Sequence, residues 1–121
     1  MIIRILVAMV MFVSVSAFAA APYCSTSYCV YNGKVDSIYV NSGGYILLYF
    51  DTPMPASEPD KAGFSVSNLT ASIYKISDNP EFAKLFYSTA LAAQASGRPV
   101  SIQMRGVVNG YLKFDRIWLA E

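Results

Sequence analysis

Cys24 and Cys29 are the two cysteines of the chain. Thiols this close in sequence can ligate a metal, exchange electrons or close a disulfide. A structural metal site takes four ligands, usually cysteine with histidine, and the sequence has no histidine. Thiol exchange favours a Cys-x-x-Cys spacing, and this pair is two residues wider. A disulfide around Ser25, Thr26, Ser27 and Tyr28 is the remaining expectation, and it places the chain in an oxidising compartment. A loop so short removes little freedom from the unfolded chain, so the bridge shapes the N-terminal segment more than it stabilises the fold.

The missing imidazole also excludes Ser-His-Asp and Cys-His nucleophiles. No glycine-rich phosphate loop, nucleophile elbow or metal-ligand spacing occurs. Asp36 and Asp115 are carboxylates that paired strands could bring together, but solvated strand-face charges are the usual fate of Asp. No cofactor is implied, and a non-enzymatic binding or structural role is the default expectation. The chain holds nine tyrosines, all beyond residue 19. Each ring joins an apolar body to a polar tip, which suits contact with sugars or proteins, although tyrosine is also simply common in strands.

These residues must be carried by one domain. The chain has 121 residues, 55% of them hydrophobic and 14% charged, which argues for a packed core rather than disorder. Residues 1 to 19 read as an export signal: one cation at Arg4, an apolar run from Ile5 to Val13, and the small-x-small end Ala17-Phe18-Ala19. The run is short against the roughly 20 residues a membrane span needs. Cleavage after Ala19 leaves residues 20 to 121 as a single exported domain, periplasmic or secreted, with no membrane span. Nine cations face eight anions in the whole chain, and losing Arg4 brings the balance to zero. A nucleic-acid partner is not expected, because its footprint is normally basic.

Hydrophobic periodicity predicts the elements. Lys34 to Val40 and Tyr45 to Phe50 read as two strands joined at Asn41-Ser42-Gly43-Gly44, where glycine permits positive φ. Asp51 to Gly63, with three prolines, reads as a solvated loop. Phe64 to Ser67 alternates and is expected to be a third strand, with Ala71 to Ile76 extending it or forming a separate segment. Ser77, Asp78 and Asn79 offer cap oxygens, Pro80 suits a first helical turn, and Gly97 with Pro99 supplies the stop. Between them Phe82, Leu85, Phe86, Thr89, Ala90 and Ala93 form the expected buried stripe. Tyr87 and Leu91 lie off it, as an ordinary exposed pair or as a contact with a neighbouring subunit. Val100 to Arg105 alternates strictly, Asn109-Gly110 is a favoured hairpin turn, and Phe114 to Leu119 is the last strand. The class is mostly β with one α-helix. The order strand-strand-strand-helix-strand-strand is that of a five-stranded Greek-key barrel, the OB-fold.

The stretch Phe86-Tyr87-Ser88-Thr89-Ala90-Leu91, followed by Gly97-Arg98-Pro99-Val100-Ser101-Ile102, resembles the helix-to-strand passage of the subtilase cytotoxin B subunit family. It is similar as well to other small exported bacterial OB-fold proteins. The resemblance runs from Gly33 to about Ile102 and is strongest in its second half. It implies an OB-fold, a homopentamer that binds sialylated cell-surface glycans, and a separate catalytic subunit. Asn32 stands where the family has a sugar-contacting serine, and Met104 where it has a sugar-contacting tyrosine. The family's strand-linking disulfide falls near Leu47 and Val66, both apolar here. The expected glycan-binding residues are therefore Tyr28, Tyr31, Asn32 and Met104, with Tyr87 and Leu91 at an oligomer interface. The alternative is a monomeric exported OB domain with a structural or protein-binding role and no glycan site.

Overall fold

The computed structural model describes residues 21–120; the segment read as an export signal lies outside the described residues. The strands are β1 (Tyr23–Cys24), β2 (Cys29–Gly33), β3 (Ser37–Val40), β4 (Tyr45–Tyr49), β5 (Ala71–Lys75), β6 (Val100–Val108) and β7 (Tyr111–Leu119). A one-turn helix α1 (Glu58–Lys61) lies between β4 and β5, and the long helix α2 (Pro80–Ser96) lies between β5 and β6. All seven strands belong to one sheet in the order β1-β2-β6-β7-β5-β4-β3. Every pairing is antiparallel except β5 with β7, the two strands separated by α2 and β6. The class is mostly β with one main helix, as expected, but among the described residues the sheet holds seven strands rather than five.

Turn chemistry makes the local hairpins. Asn109 and Gly110 both have positive φ, 51° and 81°, as a two-residue hairpin turn requires. Gly44, at φ 86°, closes the β3–β4 turn by donating its N–H to Asn41 O at 3.1 Å. Cys24 and Cys29 lie directly opposite one another on β1 and β2 and form the expected disulfide.

Connectivity then forces curvature. β2 is second from one edge of the sheet and β3 is the opposite edge, yet only Lys34, Val35 and Asp36 join them. Laid flat, five strand spacings would separate them by about 24 Å. Four residue steps of extended chain reach about 14 Å. The sheet must therefore roll until its second and last strands approach. Tyr31 holds the bend between them: its buried phenol donates to Lys34 O at 2.6 Å and accepts from the Asp51 N–H at 3.1 Å. Burial pushes this phenol well above the usual tyrosine range, so it remains a donor. Gly33 sits so close that an added Cβ would lie 2.7 Å from the Tyr31 hydroxyl. Among the described residues no ladder joins β2 to β3, so the rolled sheet is not closed by hydrogen bonds.

The expected third strand is a correction. Phe64 to Ser67 has no ladder partner; Phe64 N–H bonds to Pro59 O and Ser67 N–H to Gly110 O. The position between β4 and β7 is taken by Ala71–Lys75. Four of those residues are buried, whereas Phe64 and Val66 are only half-buried. A central strand needs cover on both faces, and 71–74 has it. The proline-rich loop also holds α1, with Pro59 in its first turn, where a missing N–H costs nothing.

α2 seals the inside of the roll. The Asn79 side chain accepts from Phe82 N–H at 3.1 Å, and Gly97 ends the helix in the left-handed conformation. Ala83, Phe86, Ala90 and Ala93 are buried, the alanines letting the helix approach the sheet closely. Phe86 stacks on Phe114 of β7 with centroids 3.6 Å apart, and Tyr74 of β5 meets the edge of Phe82 at 4.9 Å. Leu85 is a second correction: it is 67% exposed and lies outside the buried stripe. Residues 82, 83, 86, 90 and 93 form one stripe along the helix, and 85 lies about 110° from its centre at roughly 100° per residue. Phe86→Ala is expected to cost about 3–5 kcal/mol, while Leu85→Ala shifts stability by no more than about 0.5 kcal/mol. Urea unfolding of the two variants checks this, and equal losses would overturn the assignment of faces.

Candidate functional site

Side chains alternate across a sheet, so the outer face of β2, β6 and β7 can be read from the register. Cys29, Tyr31, Val100, Ile102, Met104, Phe114 and Ile117 point inward and pack in the core. Their neighbours form two outward rows: Asn32 beside Ser101 beside Trp118, and Tyr23 beside Val30 beside Gln103 beside Arg116. Trp118 is 50% exposed, and Tyr23 is likewise exposed.

Two consecutive irregularities in the β6–β7 ladder concentrate charge on this face. The pairing passes from Gln103↔Arg116 to Met104↔Phe114, leaving Asp115 without a partner, and then to Val107↔Leu112. Arg105 and Gly106 thus both oppose Lys113, which Gly106 accommodates at φ 84°. A bulge of this kind sets two successive residues against one and re-aims their side chains. Asp115 Oδ2 lies 3.9 Å from Arg105 Nε and 4.0 Å from Arg116 Nε. These are ion pairs too long for hydrogen bonds. Asp115 Oδ1 is buried and has no partner of its own.

Arg105 is held from two further sides. Its guanidinium lies over the Tyr28 ring, 5.8 Å from the centroid. Gln103 is 93% buried beneath it; with the amide oxygen turned toward Arg105, it accepts from Nε and Nη2 at 3.2 Å each. The arginine heads stay about half exposed. Exposed ion pairs contribute about 1 kcal/mol or less, so the cluster adds little to stability. What it provides is a held set of donors (Arg105, Arg116), an acceptor (Asp115), a two-way amide (Asn32) and an aromatic face (Trp118).

Of the residues expected from sequence, Tyr28 and Asn32 belong to this outer face, Tyr28 half-buried and Asn32 exposed. Tyr31 and Met104 have no exposed surface and belong to the core. Tyr87 and Leu91 are exposed on α2, away from the cluster. Asp36 and Asp115 do not form a pair: Asp115 faces Arg105 and Arg116, while Asp36 sits in the β2–β3 bend with its carbonyl bonded to Gln94. Ser101, Gln103, Arg105, Arg116 and Trp118 escaped selection, although the alternation from Val100 to Arg105 already put three of them on one face. Among the described residues no group of three or more His, Cys, Asp or Glu side chains could hold a metal ion.

No protein-family model, curated protein or solved structure matches the chain.

The cluster depends on the bulge rather than on its ion pairs. Arg105→Ala is expected to change stability by about 1 kcal/mol or less. Gly106→Val, which forces a β-branched residue to positive φ, is expected to cost about 1–3 kcal/mol. Paired denaturant curves test the contrast, and a larger loss from Arg105→Ala would show that the charges hold the ladder.

Proposed function

We propose that this chain is a non-enzymatic, exported binding protein whose outer β2–β6–β7 face recognises a carbohydrate. The observation that carries the reading is the juxtaposition of the Asn32–Ser101–Trp118 row with the Arg105–Asp115–Arg116 cluster. A sugar ring has an apolar C–H face that an indole can cover and a rim of hydroxyls that amide, guanidinium and carboxylate groups can bond. The orphaned Asp115 Oδ1 is a buried acceptor with unused capacity, and such groups are costly unless a partner arrives.

The fold and compartment agree with this reading. If β2 and β3 are one bent strand, the order becomes strand, β4, β5, α2, β6, β7 with a parallel β5–β7 contact, which supports the OB-fold expected from sequence. The Cys24–Cys29 disulfide fits an oxidising compartment and so supports export. Among the described residues no helix is long and apolar enough to cross a membrane. The whole chain carries a formal charge of only +1, which favours a sugar over a nucleic acid on a face bearing both arginine and tryptophan.

Trp118 is the only tryptophan, so its fluorescence reports the face directly. A glycan array probed with the folded protein is expected to give hits that also shield Trp118 from acrylamide quenching. Trp118→Ala and Arg105→Ala are expected to weaken those hits by about tenfold or more, while Leu85→Ala leaves them unchanged. An array with no hits, or hits indifferent to both substitutions, overturns the assignment.

A further inference from the structure

β3 is a free edge. It pairs with β4 on one side, and among the described residues no strand lies on the other. Asn41 N–H donates to Tyr45 O at 3.2 Å, so alternation makes Tyr39↔Leu47 the next hydrogen-bonded pair. The N–H and C=O of Ile38 and Val40 therefore point away from β4, and among the described residues nothing bonds to them. Natural edges are usually blunted by charge, proline, a bulge or brevity. β1, at the other end of the sheet, is only two residues long. β3 is four residues of Ser, Ile, Tyr and Val, with Tyr39 and Val40 about half exposed.

α2 runs beside this edge. Gln94 Nε2 bonds to Asp36 O at 3.1 Å at one end, and Ala83, Lys84 and Tyr87 face Val40 across a groove at the other. The groove has a volume of about 300 Å³ and is completed by Ile46 and Ile76. The ten helical steps from Lys84 to Gln94 span about 15 Å, and the four strand steps from Asp36 to Val40 span about 14 Å, so helix and edge match in length. Tyr87, Leu91 and Gln94 follow one another along the same helical stripe, which accounts for the two exposed apolar residues. Lys84 is the charged residue of the groove, and among the described residues no carboxylate lies within 4.0 Å of its ammonium.

We propose that β3 and α2 form a slot for an extended peptide of a partner protein. The peptide adds to β3 as a strand, bonding to Ile38 and Val40. It seats an apolar side chain in the groove and sets a carboxylate beside Lys84. Backbone pairing supplies affinity, while the groove and the lone cation select sequence. This slot is separate from the carbohydrate face and does not depend on it.

The test selects a phage-displayed library of random short linear peptides on the full chain and measures the enriched peptides by fluorescence polarisation. Enriched peptides are expected to alternate apolar and polar residues and to carry an acidic group. Val40→Pro removes an outward N–H at an edge position where proline is tolerated, and Lys84→Glu reverses the charge. Each is expected to weaken binding by about tenfold or more, and Trp118→Ala to leave it unchanged. N-methylation along the peptide removes the same backbone bonds on wild-type protein, which keeps the test decisive if Val40→Pro does not fold. Three results would overturn the proposal: no enrichment, affinity indifferent to both Lys84→Glu and N-methylation, or a solution oligomer in which Tyr87 cross-links to a second copy.

Discussion

Three residues between β2 and β3 constrain everything else in this molecule. Lys34, Val35 and Asp36 cannot bridge the width of a flat sheet, so the sheet rolls, and the roll creates an inside and an outside. The inside is filled by α2 and the Phe82–Phe86–Phe114–Tyr74 aromatics. The bend survives because Tyr31, wholly buried, satisfies one backbone carbonyl and one backbone N–H that would otherwise be orphaned there. Gly33 is part of the same device, since any side chain would strike the phenol. Val35, buried in the link, adds the apolar anchor.

Rolling also decides what each surface offers. On the outer face, β6 and β7 would be an ordinary hairpin of alternating residues were it not for two adjacent bulges. Each inserts one residue, first Asp115 and then the Arg105–Gly106 step, and together they bring a carboxylate and two guanidinium groups within 4.0 Å. The cost is a buried, unpartnered oxygen on Asp115, while glycine at 106 takes the positive φ that the bulge requires without a steric penalty. That oxygen lies on the same face as an exposed indole, and a buried acceptor without a partner favours any donor that reaches it.

The helix shows the same division between holding and presenting. Its alanines and Phe86 close the roll, and Asn79 and Gly97 define its ends. Leu85 on one flank, and Tyr87 with Leu91 on the other, are carried into solvent, and α2 does not need them for its own packing. Two of these stand beside the bare edge of β3. The disulfide works at the opposite rim: it pins β1 to β2, and Cys24 N–H bonds to Glu58 Oε2 of α1 at 3.0 Å. That bond holds the Glu58 carboxyl below the usual glutamate range. The hairpin so fixed carries Tyr28 to its place under Arg105.

Features that depend on near neighbours in the chain were legible in the sequence. The Asn109-Gly110 turn, a helix cap within Ser77-Asp78-Asn79, the Gly97 stop, the Cys24–Cys29 bridge and the alternation from Val100 to Arg105 each follow from local backbone and side-chain chemistry. Features that depend on distant partners were not. Phe64 to Ser67 alternates as well as a strand should, but only pairing with β4 and β7 decides that 71–75 takes the ladder instead. Tyr31 looks like any polar-tipped side chain until the roll encloses it, whereas alternation had already set Met104 on one face with Val100 and Ile102; Leu85 lies at the margin of the expected stripe, and only the packing of α2 leaves it exposed. The bulges have no signature beyond Gly106, because a bulge is a mismatch between two strands and belongs to neither alone. Sequence determined the pieces, since propensity and turns act over a few residues. Tertiary structure decided which faces they share, since register and burial are properties of the partners each piece finds.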